Sequence, residues 1–147
     1  MSKLLSALST FVMFTALVAA EPPLQVQVTA NIEFFEHMFA TLDMAPETAR
    51  STFLSHLGIP KEEHQKVLSV AAEFSSKEAQ LRTQAQSILA LKGAEQSVLL
   101  GSIRAERTEL LHSDAVLLMK SLDSGSRQAL LGRISQMQKL IPKRVSN

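Results

Sequence analysis

Hydrophobic residues are distributed in two ways along this chain: as one continuous run near its start and as regular helical repeats after it. The run extends from Leu4 to Val18, follows a single charge at Lys3, and ends in two alanines. A basic start, a short apolar middle and small final residues are the parts of a secretory signal peptide. Since a membrane-spanning helix needs about 20 predominantly apolar residues, we predict instead a signal peptide over residues 1–20, cleaved after Ala20.

The segment after the predicted cleavage point follows a different pattern. Two prolines are followed by the alternating apolar residues Leu24, Val26 and Val28. Alternation of apolar and polar residues is typical of a strand. We therefore predict an extended leader over residues 21–29.

From residue 30 onward, apolar residues recur at steps of three and four, which places them on one face of a helix. Prolines, glycines and capping residues divide this region into four to five helices. The predicted helices cover residues 30–42, 46–57, 60–91, 95–122 and 126–141. The predicted fold is all-α: a helical hairpin, a long antiparallel helical hairpin and a C-terminal helix. The single helical domain covers residues 30–142 and is followed by a frayed tail over residues 143–147.

Several of the predicted helix ends depend on particular residues. Pro46 and Pro60 are suited to the start of a helix, because a missing N–H costs nothing there. Gly58 is predicted to end a helix in the left-handed conformation, and Asp123 or Ser124 to cap the last helix. In the third helix, large apolar residues recur every seven positions, as in a coiled-coil seam. These residues are Val67, Phe74, Leu81 and Ile88.

Charge is distributed unevenly along the chain. The part from Glu21 to Asp123 contains nine basic and fourteen acidic residues, whereas the rest contains five basic residues and no acid. These five residues form a candidate basic face: Arg127, Arg133, Lys139, Lys143 and Arg144. The basic segment can dock on the acidic body or contact an anionic membrane surface. We favour docking, because the segment also has an apolar stripe to bury, so peripheral membrane contact is not favoured.

Aromatic residues offer a candidate binding surface. Five phenylalanines lie between residues 30 and 142, and four of them fall in the first two predicted helices. They are Phe34, Phe35, Phe39, Phe53 and Phe74. They can form an apolar surface for a ligand, or they can fill the core between the two hairpins, as aromatic residues commonly do. Adjacent helical residues point about 100° apart, so either Phe34 or Phe35 should be less buried than the other.

Motifs for catalysis, metal binding and nucleic-acid binding are missing from the sequence. The chain contains no cysteine, which excludes disulfides and thiolate sites and suits a bacterial periplasm or exterior. None of its four histidines forms a pair at the four-residue helical spacing of a metal site, although Glu33 and His37 have that spacing. We predict a non-enzymatic protein without catalytic, cofactor-binding or metal residues, and without a nucleic-acid partner.

Two segments that begin helices resemble each other and a known family. They are residues 59–63, with the sequence Ile-Pro-Lys-Glu-Glu, and residues 122–127, with the sequence Leu-Asp-Ser-Gly-Ser-Arg. Each stands where the Spy/CpxP family of periplasmic stress proteins has its Leu-Thr-x-x-Gln motif, although neither has the Thr or the Gln. The layout is also similar to that of secreted helical proteins of bacteria. The resemblance implies a cradle-like helical dimer that binds unfolded polypeptide or a sensor domain.

The sequence thus predicts an exported, periplasmic or secreted protein that acts by binding. The expected partner is another polypeptide or a second copy in a homodimer, in a chaperone-like or envelope role. One alternative is a carrier of a small apolar ligand or lipid, with Phe35, Phe39, Phe53 and Phe74 around an internal pocket. The second alternative is a metal-binding sensor that combines His37 and Glu33 with a distant histidine.

Overall fold

The fold is all-α, as predicted. The computed structural model describes residues 22–140, which form six α-helices and one 3₁₀ turn and contain no strand. The helices are α1 (Leu24–Ala30), α2 (Ile32–Met44), α3 (Glu47–His56), α4 (His64–Leu89), α5 (Ala94–Ser121) and α6 (Ser124–Leu140), and the 3₁₀ turn (Lys61–Glu63) precedes α4. The predicted signal peptide, its cleavage point after Ala20 and the predicted tail over residues 143–147 lie outside the described residues.

The extended leader predicted over residues 21–29 is wrong, because most of it forms α1. Leu24 and Val28 lie four residues apart and therefore share one face of a helix. Val28 is completely buried, Leu24 packs against the core, and Val26 is exposed on the other side. Burial of this pair while α1 packs along α5 gives the helix a stabilisation that an isolated strand would lack.

Local signals fix the ends of the short helices. Pro46 lies just before α3, and Gly58 follows its end with a φ of 81°. The Gly58 N–H donates to Ser55 O at 3.0 Å and the Ile59 N–H to Leu54 O at 3.1 Å, which is a Schellman motif. A Cβ on Gly58 would also lie 3.2 Å from the Cβ of Ala129 in α6. Glycine is thus required here by backbone conformation and by the close approach of α6.

The long hairpin consists of α4 and α5, with 26 and 28 residues, which pack against each other along their length. At 1.5 Å per residue each helix is about 40 Å long. The predicted third helix was expected to begin at Pro60, but a 3₁₀ turn occupies its first residues. Gly93, with a φ of 94°, precedes α5 at the hairpin turn.

The core surrounds only one half of this hairpin. Helices α1, α2, α3 and α6 contribute to a single cluster with the first part of α4 and the last part of α5. Its largest fully buried side chains are Phe35, Phe39, Met38, Leu54, Ile59, Leu118, Met119, Leu130, Ile134, Val28 and Val67. No residue between 75 and 110 is buried. We call this part the hairpin arm, since its two helical segments contain no buried residue.

Polar contacts attach the start of α6 to the start of α4. The Ser126 N–H donates to Asp123 Oδ1 at 2.8 Å, which confirms Asp123 as the cap and holds the pKa of its carboxyl below the usual value. The buried Glu63 carboxylate accepts the Asp123 N–H at 2.7 Å and the Ser126 hydroxyl. Since these bonds satisfy a charged group away from water, they fix how α6 enters the core.

Candidate binding surface

The five phenylalanines do not form a common surface. Phe35, Phe39 and Phe74 are buried, whereas Phe34 and Phe53 are half-buried and pack on the core. The suggestion of a five-residue apolar surface is therefore corrected for the three buried rings, which fill the space between the hairpins. Phe34 is less buried than Phe35, as the angle between adjacent helical residues requires.

Two of the buried rings join α2 to α4. Phe39 and Phe74 stack with their centroids 4.7 Å apart and an angle of 19° between their planes. They border an open groove of about 380 Å³, of which Phe35 and Phe53 are not lining residues. Because only 1% of Phe39 and 3% of Phe74 is exposed, this groove presents little aromatic surface to a ligand. The four rings thus do not surround the internal pocket that a carrier requires.

An ion-pair cluster marks the boundary between the core and the hairpin arm. Arg107 of α5 donates from Nε to Glu78 of α4 at 2.7 Å and from Nη1 to Glu36 of α2 at 2.9 Å. Burial opposes the charge of Arg107, but the hydrogen bonds to Glu78 and Glu36 outweigh it and raise the pKa of the guanidinium. Three helices are therefore held together at this boundary.

Beyond this boundary the arm exposes apolar side chains. The side chains of Leu81 and Ile103 between its helices are only half-buried. Near the turn Leu89 is 61% exposed and Val98 is 71% exposed, although both are large apolar residues. Two helices alone cannot enclose the apolar positions that both carry. The arm is therefore an apolar surface held out from a packed core.

An open groove runs between α4 and α5 at the base of the arm, with a volume of about 560 Å³. Leu81 and Leu110 contribute its apolar part, and Glu106 and Glu109 are exposed at its acidic side. Lys77 and Asp114 are the other charged residues of its lining. We call this feature the α4–α5 groove. Its volume is within the range of ligand-binding pockets. Because the groove is open, it suits a helix or an extended segment of a polypeptide better than a small molecule that must be enclosed.

A second depression extends this groove along α5. It has a volume of about 470 Å³, shares Glu109 and Ser113 with the α4–α5 groove, and reaches Gln25 of α1. Val116 and the exposed Leu117 are its apolar residues. The two depressions therefore form a continuous track on one side of α5.

Asp114 is the residue in this groove that the sequence did not reveal. Only 3% of it is exposed, and its Oδ2 atom is buried without a hydrogen-bond partner. Burial raises the pKa of its carboxyl, which Lys77 partly counteracts and Glu73 reinforces. The available signal was its position, because Asp114 lies four residues after Leu110 and four before Leu118 and so interrupts an apolar repeat.

The predicted basic face is only partly described, since Lys143 and Arg144 lie outside residues 22–140. Within that range, neither Arg133 nor Lys139 nor Arg127 forms an ion pair with a carboxylate. Arg127 instead donates to the carbonyl of Leu122 at 3.2 Å. Helix α6 does pack against the other helices, but these three basic residues do not form the ion pairs with acidic residues that were expected to hold it there.

The apolar residues Leu130 and Ile134 are the buried part of α6. Glu63 supplies a charged contact at its first turn. Burial of the apolar stripe is therefore the main stabilisation, as expected for an amphipathic helix. Arg133 and Lys139 remain exposed.

The histidines do not assemble a metal site. His37 and Glu33 are both exposed, and His64 is buried, donating from Nε2 to the carbonyl of Ile59 at 2.8 Å with Nδ1 3.0 Å from Ser51 Oγ. Residues 22–140 contain no group of three or more His, Cys, Asp or Glu that could hold a metal ion. No helix among them is long and apolar enough to cross a membrane.

Comparison with known proteins does not assign this arrangement to a family. No family model matches the chain, no curated protein matches it, and no solved structure matches it.

Proposed function

We propose that this is an exported, non-enzymatic protein that binds an apolar stretch of another polypeptide along the hairpin arm and the α4–α5 groove. The observation that carries the proposal is the absence of any buried residue between 75 and 110, next to a single cluster of buried apolar residues. A helix pair with unburied apolar residues is the usual receptor for an amphipathic segment. The arm thus acts as the binding element and the core as its support.

Side-chain contacts hold the support together where it meets the arm. The stack of Phe39 on Phe74 and the contacts of Arg107 with Glu36 and Glu78 fix α2, α4 and α5 relative to one another. A binding surface that is held in place loses less conformational entropy when a partner binds than a flexible one does. The arm can therefore present its apolar residues at a constant spacing.

Exposed leucine and valine side chains supply the driving force in this proposal. Burying apolar surface yields about 25 cal/mol per Å², or about 1.5–3 kcal/mol for a large side chain that becomes fully covered. Leu89 and Val98 are mostly exposed, so a partner that covers both would gain much of that amount from each. Such energies suit a chaperone-like protein that binds apolar segments and releases them.

The export part of the proposal depends on the signal-peptide pattern of residues 1–20 and on the lack of cysteine. The compartment we propose is the bacterial periplasm or exterior. The resemblance to the Spy/CpxP family implies binding of unfolded polypeptide in that compartment. The exposed apolar side chains of the hairpin arm are consistent with such a role.

An aggregation-suppression assay with an unfolding client protein tests this function. The protein should reduce light scattering by the client, and the double variant Leu89→Glu with Val98→Glu should lose most of that effect. Both side chains are mostly exposed, so the variant should keep its helix content. The matched control, Thr48→Glu with Thr52→Glu, adds the same charges on exposed positions of α3.

Two results would contradict the proposal. No suppression at a several-fold excess of the wild-type protein would refute the chaperone-like function. Equal suppression by the wild-type protein and the Leu89/Val98 variant would refute the assignment of the binding surface to the arm.

A further inference from the structure

We propose that the partner of the α4–α5 groove is a basic amphipathic helix, with a Lys or Arg side chain that donates to Asp114 and apolar side chains that cover Leu81 and Leu110. This inference rests on the proposed function and specifies which polypeptides the groove selects. It follows from the charge of the groove, the unsatisfied carboxylate in it and the shape of α5.

The side chains that line the groove carry more acidic than basic groups. Three carboxylates line it, those of Glu106, Glu109 and Asp114, against one ammonium group, that of Lys77. Lys77 donates to Glu73, outside the groove lining, at 2.6 Å. Among the described residues neither Glu106 nor Glu109 forms an ion pair. A cationic partner therefore meets two glutamates that have no ion-pair partner among residues 22–140.

Asp114 provides the specific acceptor. A buried carboxylate oxygen without a hydrogen-bond partner is unfavourable in the free protein. Asp114 lines the groove, and an incoming ammonium or guanidinium group that donates to its carboxylate can offset that penalty, because charge-assisted hydrogen bonds are stronger than neutral ones. A carboxylate or amide from a partner would add repulsion or a weaker bond, so the acceptor selects for positive charge.

The shape of α5 indicates a helical partner. Residues at steps of three and four share one face of a helix, and on α5 this face includes Glu106, Leu110, Ser113, Leu117 and Lys120. From Glu106 to Lys120 it is about 21 Å long, which equals about 14 residues of a partner helix. Leu110 and Leu117 would contact the apolar stripe of that helix, and the acidic residues its basic edge. The apolar contribution argues against a small inorganic cation as the occupant.

Synthetic peptides of about 18 residues, long enough to be helical, test the inference. Three amphipathic helices share one leucine pattern and differ in their polar residue, which is Lys, Gln or Glu. Fluorescence anisotropy should show that the Leu/Lys peptide binds the wild-type protein about tenfold or more tightly than the Leu/Gln peptide, and that the Leu/Glu peptide binds most weakly.

The variant Asp114→Asn should remove most of the preference for Lys over Gln while it still binds the Leu/Gln peptide. The matched control is Asp43→Asn, which makes the same charge change at an exposed carboxylate outside the groove. It should keep the full preference. Circular dichroism verifies that both variants are folded, and no folding defect is expected because the Asn side chain has the same shape.

Three outcomes would overturn the inference. If all three peptides bind equally, the groove does not select charge, although the proposed polypeptide-binding function stands. If none of them binds, both proposals fail. If sedimentation shows that the free protein is a dimer that Leu110→Glu dissociates, the occupant of the groove is a second copy of the chain.

Discussion

Replacing Asp114 by Asn should stabilise the free protein at neutral pH. In the wild-type protein the side chain is buried in the base of the α4–α5 groove, and its Oδ2 atom has no hydrogen-bond partner. The substitution removes the charge and leaves the shape. It therefore lowers the cost of burying this group in the folded state but hardly changes the unfolded state, where water solvates either side chain.

The expected size follows from the cost of an unsatisfied buried group, which is about 1–3 kcal/mol. We expect about 1 kcal/mol, the lower end, because Lys77 offsets part of the penalty. Burial raises the pKa of the Asp114 carboxyl in the folded protein, so the protonated form is favoured there. The protonated carboxyl therefore stabilises the folded protein relative to the ionised one. This stabilisation is fully present below the unfolded pKa of about 3.9 and is lost as the pH rises through the higher folded pKa. The gap between variant and wild type should thus widen from pH 4 to pH 7.

Urea denaturation at several pH values measures this gap. Asp43→Asn is the control, since its exposed side chain should leave the free energy of unfolding within about 0.5 kcal/mol of the wild-type value. If Asp114→Asn destabilises the protein by more than about 1 kcal/mol at pH 7, then the carboxylate has a stabilising partner. That result would contradict the statement that Oδ2 of Asp114 lacks a hydrogen-bond partner. It would also contradict the proposal that this carboxylate is free to accept a bond from a partner.

Two further predictions concern the support of the arm. Phe74→Ala should lower the free energy of unfolding by about 3–5 kcal/mol, because it leaves a cavity beside Phe39; a loss below about 1 kcal/mol in urea denaturation would show that the stack is not part of the core. Gly58→Ala should cost about 1–2 kcal/mol, since an alanine must adopt the left-handed conformation next to Ala129. Gly132→Ala is its control and should stabilise by about 0.5–1 kcal/mol, because it lies within α6 and nothing would meet its Cβ within 4 Å. Equal shifts for both glycines in thermal or urea unfolding would contradict the assigned turn.

The all-α fold and several of its boundaries could be predicted because they depend on local chemistry. Pro46, Gly58 and Asp123 act through their own backbone or side chain on the next few residues, and each lies at the helix end that its chemistry predicts. The same approach failed for the segment from Leu24 to Val28, because its apolar residues are compatible both with a strand and with an amphipathic helix. Its contact with α5, which is remote in the sequence, decides between them.

The candidate site was harder to predict, because burial is a property of the assembled helices. Residues 34 and 35 are both phenylalanines and are adjacent, yet only Phe35 is buried in the core. Asp114 has the same chemistry as the exposed Asp43, and only packing between α4 and α5 makes its carboxylate unusual. Sequence patterns assigned residues to helix faces correctly in many places, but they could not identify which face would remain without a neighbour.

The hairpin arm has a consequence for how its length can vary. Between residues 75 and 110 no side chain is buried, and Arg107 joins the arm to α2 and α4. Inserting or deleting the same number of whole heptads in both helices would therefore change the reach of the arm by about 10 Å per heptad and leave the base intact. The architecture separates two quantities that most small domains must change together: the thermodynamic stability of the base and the distance over which the protein can contact another molecule.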